Sequence, residues 1–256
     1  MADPWDPRQY ERYRSEREQP FHDLLALVRP RPGMRAVDLG CGTGTLTLDL
    51  HRALQARETV GIDNSPSMLA QPPQAPGLRF EVRDIADFAP AEPFDLVFSN
   101  AALHWVPRHE ELLPRLRAAL APGGQIAVQM PANDDHASHE TARELAMEHE
   151  FKRHLGGYVR RPPLPSPVQY AAWLHHLGFV TQHARMQVYT HLLGSRDEVV
   201  EWVRGTLLTD YQRRLPTPVW DRFLARYREL LLPRLPDERP FLYTYPRILF
   251  WGQLPA

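Results

Sequence analysis

The sequence predicts a doubly wound α/β fold, and three observations carry that prediction. Short apolar runs alternate with helix-periodic segments through the first half of the chain. The first run, Val37-Asp38-Leu39, opens through three alternate glycines, Gly40, Gly42 and Gly44, into a helical pattern. An acid sits at the end of three such runs, at Asp38, Asp63 and Asp84. In a parallel sheet wound with helices the carboxyl ends of the strands line one crevice, so these three acids are expected to converge on it.

Taken in order, residues 8–28 read as an amphipathic helix that Pro20 is expected to break, lying as a cap across the crevice. A first strand follows near 35–39, a helix over 44–55, a strand over 59–63, a short helix from Pro66, and strands over 79–83 and 94–99. The helix over 109–120 is expected to stop at Pro122-Gly123-Gly124, with a fifth strand from Gln125 to Met130. Helices are read over 137–152 and 168–177, the latter stopped by Gly178. A strand is expected over 179–192 and another from Arg247, because proline at 246 is poorly tolerated in an inner ladder. Residues 195–236 read as helical and interrupt the sheet, the place where a substrate lid is expected. The expected organisation is one domain: a cap over 1–30, a core over 31–192 and 240–256, and a helical insertion over 193–239.

Composition narrows the function classes. At 256 residues and 43% hydrophobic content the chain is long enough for one sizeable α/β core. A formal net charge of −1 gives no global basic field of the kind a nucleic-acid binder uses, so no nucleic-acid partner is expected. The first residues carry neither a basic nor an apolar leader, and no apolar run approaches a membrane span. A cytoplasmic protein without a membrane partner is the expectation, and the sequence leaves its oligomeric state open. Cys41 is the sole cysteine, so an intrachain disulfide is impossible; its neighbours suggest a small residue packed under the glycine loop. The 26 prolines concentrate in connections such as Arg161-Pro162-Pro163-Leu164-Pro165 and read as stiff loops.

The acids select the ligand. A pyrophosphate cofactor relies on helix N–H groups and the positive end of the helix dipole, and Asp38 beside that loop works against it. An acid there suits a cation. S-adenosylmethionine carries an ammonium and a sulfonium and no phosphate, and it fits. Asp63 is placed to accept from two ribose hydroxyls and Asp84 from an adenine amino group.

At these residues the chain resembles the class I S-adenosylmethionine-dependent methyltransferases. The stretches Asp63-Asn64-Ser65-Pro66-Ser67-Met68-Leu69, Asp95 to Val106 and Val128-Gln129-Met130-Pro131 resemble the bacterial trans-aconitate 2-methyltransferase branch. Tyr10 to Pro20, Glu201-Trp202-Val203 and Arg222 to Tyr227 extend the likeness over nearly the whole chain. The resemblance implies a seven-stranded, mainly parallel sheet with its last strand antiparallel. It implies a cofactor-binding set of Asp38, Gly40, Cys41, Gly42, Asp63, Asn64, Met68, Asp84, Ile85, Asn100 and Ala101, with S-adenosylhomocysteine as product. It also implies an N-terminal segment that closes over the site, with Tyr10 facing it and Arg17 a carboxylate partner.

The acceptor is read from the residues after the fourth strand. Methyl transfer needs alignment and exclusion of water, and a carboxylate is already ionised at neutral pH, so no base is obligatory for it. Hydroxyl, amine or carbon acceptors call for one. Asn100 and Ala101 can approach the methionine part of the cofactor. His104 could donate to an acceptor oxygen or act as a base, and Trp105 could supply an indole N–H and wall off water; for both, plain packing is the alternative. His136, His139, His175 and His176 carry no acid-rich shell, and the chemistry needs no metal. The aromatic residues Phe241, Tyr243, Tyr245, Phe250 and Trp251 read as strand packing.

Methyl-ester formation on a small organic acid is the reading favoured. Malonyl-carrier-protein esterification, RNA base methylation and a catalytically silent cofactor-binding regulator stay open, while Asp38 disfavours a dehydrogenase. Against the family pattern, Thr209 stands where an arginine is usual, Asp210 adds an acid beside it, and Gln19 replaces a second arginine. These departures lead to the expectation that trans-aconitate is a poor substrate and that a mono-acid contacts Leu207 and Tyr211, with Arg204 or Arg213 able to compensate.

Overall fold

The structure is a computed structural model that describes residues 15–159 and 164–256, with side chains from Glu18 onward in the first segment. Its sheet has seven strands in the order β3-β2-β1-β4-β5-β7-β6. These are β1 (Arg35–Leu39), β2 (Glu58–Asp63), β3 (Leu78–Val82), β4 (Phe94–Asn100), β5 (Leu120–Pro131), β6 (Thr181–Leu193) and β7 (Phe241–Gln253). The pairings β3-β2, β2-β1, β1-β4 and β4-β5 are parallel, and β5-β7 is antiparallel. The strand order reverses between β1 and β4, where a doubly wound sheet opens its binding crevice.

The chain divides into two compact units. The first takes residues up to Pro131, Pro165–Gln187 and Arg247–Ala256; the second takes Ala132–Leu164 and Val188–Pro246. This differs from the expected boundaries, because residues 132–164 group with the helical insertion. In the second unit α4 (Ala137–Met147) and α5 (His149–Leu155) pack on α9 (Thr217–Leu231): Phe151 meets Phe223 edge-on at 5.0 Å, and the Tyr227 hydroxyl donates to the carbonyl of Ser138 at 2.9 Å. The unit's other helices are α7 (Asp197–Arg204) and α8 (Thr209–Gln212).

In the first unit every residue of β1 is buried, as an inner parallel strand requires. Helix α2 (Thr45–Leu54) buries Thr47, Leu50, His51 and Leu54, the i, i+3, i+4, i+7 stripe of a helix lying on a sheet. Helix α1 (Ser15–Leu25) seats Phe21 and Leu24 in the same cluster as Ala36, Leu50, Phe98, Ala127 and Leu249. The remaining helices of this unit are α3 (His109–Ala118) and α6 (Pro167–His176).

Several element boundaries differ from expectation. Helix α1 runs through Pro20, held by the full burial of Phe21 and Leu24. No helix starts at Pro66; residues 66–69 form turns, with the Ser65 hydroxyl taking the N–H of Met68. Pro122-Gly123-Gly124 does not terminate α3 but lies inside β5, where the register jumps from Phe94↔Leu120 to Leu96↔Gln125. That bulge is paired to the end of the chain, Gly123 N–H to the Pro255 carbonyl at 2.6 Å and Leu254 N–H to the Gly124 carbonyl at 2.9 Å. The helix expected over 137–152 breaks at Glu148, whose ψ of 140° is not helical. Strand β7 runs through Pro246 instead of starting at Arg247. Its ladder with β5 begins at Pro131↔Arg247, so no β5 carbonyl waits for the N–H that proline lacks. The aromatic residues of β7 are buried.

Candidate functional site

The crevice is built from loops that leave the carboxyl ends of the parallel strands. After β1 the chain turns through Gly40 (φ +78°) and Gly42 (φ +56°), conformations that favour glycine. The N–H groups of Gly40 and Cys41 both reach the Ile62 carbonyl at the end of β2, at 2.7 and 3.0 Å. Asp63 ends β2 and fixes two backbone segments at once: one carboxylate oxygen accepts from Gly42 N–H and the other from Ser65 N–H, each at 2.9 Å.

After β3, Asp84 caps a 3-10 turn (Ile85–Asp87) by accepting from Ala86 N–H at 2.8 Å, and its second oxygen takes the Asn64 amide at 3.2 Å. Helix capping is therefore part of what Asp84 does. Ile85 reaches toward the loop, 3.7 Å from where a Cβ on Gly40 would stand, and Met68 is buried. Asp38 lies beneath the loop, 4% exposed, with the Thr47 hydroxyl donating to it at 2.6 Å. Burial pushes its pKa up to about 7, against the pull of Thr47 and with a further push from Asp63. Cys41 is a free, buried thiol whose pKa burial raises strongly, so it packs and is no nucleophile.

The other side of the crevice is formed by β4 and the segment after it. Asn100 ends β4 with its side-chain oxygen buried, and Ala101 adopts a left-handed φ of +55° while its N–H bonds the Gln129 carbonyl at 2.9 Å. A left-handed alanine is strained, and it turns the chain sharply into a 3-10 segment (Leu103–Trp105) that carries His104 and Trp105. Both are half-buried, their rings 4.8 Å apart.

Sequence reasoning missed what holds this segment. His109, at the start of α3, is 5% exposed; its Nε2 donates to the Leu103 carbonyl at 2.8 Å, and its Nδ1 pairs with the Tyr170 hydroxyl at 2.6 Å. Tyr170 is fully buried and stacks on Phe250 at 4.7 Å. Only the pairing of β7 with β5 brings Phe250 into this unit's core, so no local pattern flags the anchor.

Other expected residues fall elsewhere. Tyr10 lies outside the described residues, and so does the side chain of Arg17, whose backbone belongs to α1. Leu207 and Tyr211 are 1% and 0% exposed, Tyr211 stacked on Phe223 at 5.3 Å, so they are core of the second unit and not acceptor contacts. Asp210 is paired with Arg213 and Arg214 and takes the Tyr158 hydroxyl at 3.2 Å, so its charge is compensated within its own unit. The Thr209 hydroxyl donates to the Thr206 carbonyl at 2.6 Å, and Arg204 pairs with Glu201 at 3.6 Å. His139 is buried beside Ser138. Among the described residues no group of three or more His, Cys, Asp or Glu is arranged to hold a metal, and no helix is long and apolar enough to cross a membrane.

Fold and crevice together fit a methyltransferase that uses S-adenosylmethionine: a glycine loop after β1, a buried acid beneath it, and an acid at the end of β2. The comparisons agree. Residues 10–184 match the family model described as "Methyltransferase domain". A trans-aconitate 2-methyltransferase of Deinococcus radiodurans is 41% identical, with 98% of each chain covered, and one of Methylobacterium nodulans is 40% identical, with 97% of each covered. The chain belongs to the trans-aconitate 2-methyltransferase family of methyltransferases. Among solved structures, the YcgJ protein of Bacillus subtilis superposes with a TM-score of 0.60 at 15% identity, covering 93% of this chain and 99% of that one. A Haemonchus contortus phosphoethanolamine N-methyltransferase, in complex with S-adenosylhomocysteine, gives 0.53 at 17% identity over 93% of this chain and 53% of that one. These two likenesses speak for the fold.

Proposed function

We propose that this enzyme forms a methyl ester on a carboxylate of trans-aconitate. The observation that carries the proposal is the whole-chain identity with relatives of that name, 41% in Deinococcus radiodurans. The compensated charge of Asp210 supports it. The mono-acid expectation rested on the arginines replaced by Thr209 and Gln19 and on the acid at Asp210; of these, Asp210 is compensated by Arg213 and Arg214, and the suggested contacts Leu207 and Tyr211 are buried.

The residues fit the donor. The Gly40–Gly44 loop and Asp63 would hold its ribose and methionyl parts, Asp84, Asn64, Ile85 and Met68 its adenine, and Asp38 with Asn100 its positive end. When bound, the donor supplies a methyl group on a sulfonium, with a neutral thioether as leaving group. A carboxylate acceptor, ionised at a pKa of about 4, brings its own nucleophilic oxygen, so the chain has no proton to remove. His104 and Trp105 then act as hydrogen-bond donors and as a wall against water, and the His109–Tyr170 anchor keeps them in place. Tyr10 and Arg17 are proposed to close over the acceptor.

Labelled methyl transfer to trans-aconitate and to a panel of monocarboxylates, amines and hydroxyl compounds tests the reading. Trans-aconitate is expected to give the highest kcat/KM and a base-labile ester; preference for a mono-acid would reverse it. Deleting residues 1–14, which spares the core residues Phe21 and Leu24, is expected to cost turnover more than thermal stability; unchanged turnover would remove the closing segment.

A further inference from the structure

Gln129 is a fully buried side chain on the face of the sheet that receives α1, and neither its Nε2 nor its Oε1 has a hydrogen-bond partner among the described residues. A buried amide with both ends unmet is costly, and folded proteins retain few of them. Its place is fixed by register. Gln129 pairs with Asn100 on β4 and with Leu249 on β7. Two residues earlier, Ala127 pairs with Phe98, and both lie in the cluster that receives Phe21 of α1. Side chains two apart on a strand share a face, so Gln129 and Asn100 stand side by side on that face, at the carboxyl ends of β4 and β5. The Asn100 Oδ1 is also buried and without a partner among the described residues.

Strand order says which ligand Gln129 meets. Across the sheet the crevice residues run Asp84 after β3, Asp63 at β2, the glycine loop and Asp38 at β1, Asn100 at β4 and Gln129 at β5. Adenine, ribose and methionyl groups follow one another along the donor in that same direction. The reactive end therefore comes to β1 and β4, and β5 is the next strand beyond it. We infer that the Gln129 amide is an acceptor-binding group, its Nε2 donating to a carboxylate oxygen of the methyl acceptor while its Oε1 takes a water that enters with the acid. The bonds balance without further partners: the other carboxylate oxygen forms the O–CH3 bond, the S–CH3 bond breaks, and its electron pair stays on sulfur. Gln129 neither gains nor loses a proton, and sets where the acid lies.

This inference rests on the proposed function, and its test separates the two. Wild type and Gln129→Met are compared in acceptor KM and kcat with trans-aconitate, in S-adenosylhomocysteine affinity by calorimetry, and in thermal midpoint without ligand. The expected result is an acceptor KM raised about tenfold or more, in line with the loss of a hydrogen bond to a charged group. Product affinity should stay within about twofold, and the midpoint should be no lower than wild type, because an apolar side chain of similar shape removes an unmet amide. Gln129→Glu keeps the shape and sets a carboxylate against a carboxylate, so its KM should rise further. An unchanged acceptor KM, or a product affinity that falls as much as the acceptor's, overturns the inference while leaving the proposed function standing. A wild type that methylates no acid overturns both.

Discussion

The two sides of the crevice differ in how their polar groups are satisfied. On the β1-β2-β3 side, Asp63 holds two backbone N–H groups, Asp84 holds a backbone N–H and the Asn64 amide, and Asp38 takes the Thr47 hydroxyl. On the β4-β5 side, the Asn100 oxygen and both polar atoms of Gln129 are buried with no partner among the described residues. The first side is shaped by its own hydrogen bonds. Under the proposed function and the inference for Gln129, the acceptor completes the hydrogen bonds of the second, so that donor binding would be set by the fold and acceptor selection by polarity left to the ligand.

The comparison breaks most readily at Asp63. Asp63→Ala removes the charge-assisted hydrogen bonds to Gly42 and Ser65, each worth about 1.5–3 kcal/mol, along with the ribose contact proposed for it. Calorimetry should show S-adenosylhomocysteine binding weakened by about 100-fold or more, and a change under threefold would mean that the loop holds its shape without the acid. Gln129→Met, by contrast, should leave that affinity alone.

Asp38 sharpens the comparison through pH. Its pKa of about 7 in the free protein exceeds the ordinary value of 3.8, so the folded chain binds a proton there that the unfolded chain has released. Stability from this group is greatest at acid pH and falls as pH rises from about 4 to about 7. A cationic ligand favours the ionised form, so product affinity should rise with pH by up to about tenfold per unit until about 7, with proton release on binding below that. Asp38→Asn should flatten both dependences; a wild-type affinity indifferent to pH between 5 and 7 would show that no positive group reaches Asp38.

Two smaller effects concern the acceptor side. Tyr170→Phe removes the hydroxyl that pairs with His109 at 2.6 Å and should cost about 1 kcal/mol of stability, with kcat lowered a few-fold and product affinity unchanged. Equal losses in both ligands would place the anchor on the donor side as well. Ala101→Gly relieves a left-handed alanine and should change stability by less than about 1 kcal/mol, since strain relief and a more flexible unfolded chain oppose each other. A large loss of kcat with stability kept would mean that the Ala101 methyl group itself touches a ligand.

The donor side was legible in the sequence because its signals are local: glycines that need positive φ, and acids one strand-helix repeat apart. The acceptor side was legible only in outline. The order Asn100, His104, Trp105 after β4 was readable, yet the anchor at His109 and Tyr170 joins residues 61 positions apart, and that Gln129 lacks a partner among the described residues is visible only once its neighbours are placed. The bulge at Gly123 escaped for the same reason, since its partner is Pro255. Local proline rules for helix and strand misjudged Pro20 and Pro246 because burial and ladder position, which a local window does not contain, decide whether proline is tolerated.

The glycine at position 40 has a second master. A Cβ there would lie 2.1 Å from the Cβ of Ala102, so the exit of β4 excludes a side chain whether or not anything binds. A descendant of this gene that lost its donor altogether would still be held to glycine by that neighbour, and to Asp63 by the two backbone segments it ties, while Asp38 would be freer to drift. For recognising which relatives still catalyse, Asp38 is the better witness, and the glycine testifies mainly to the architecture.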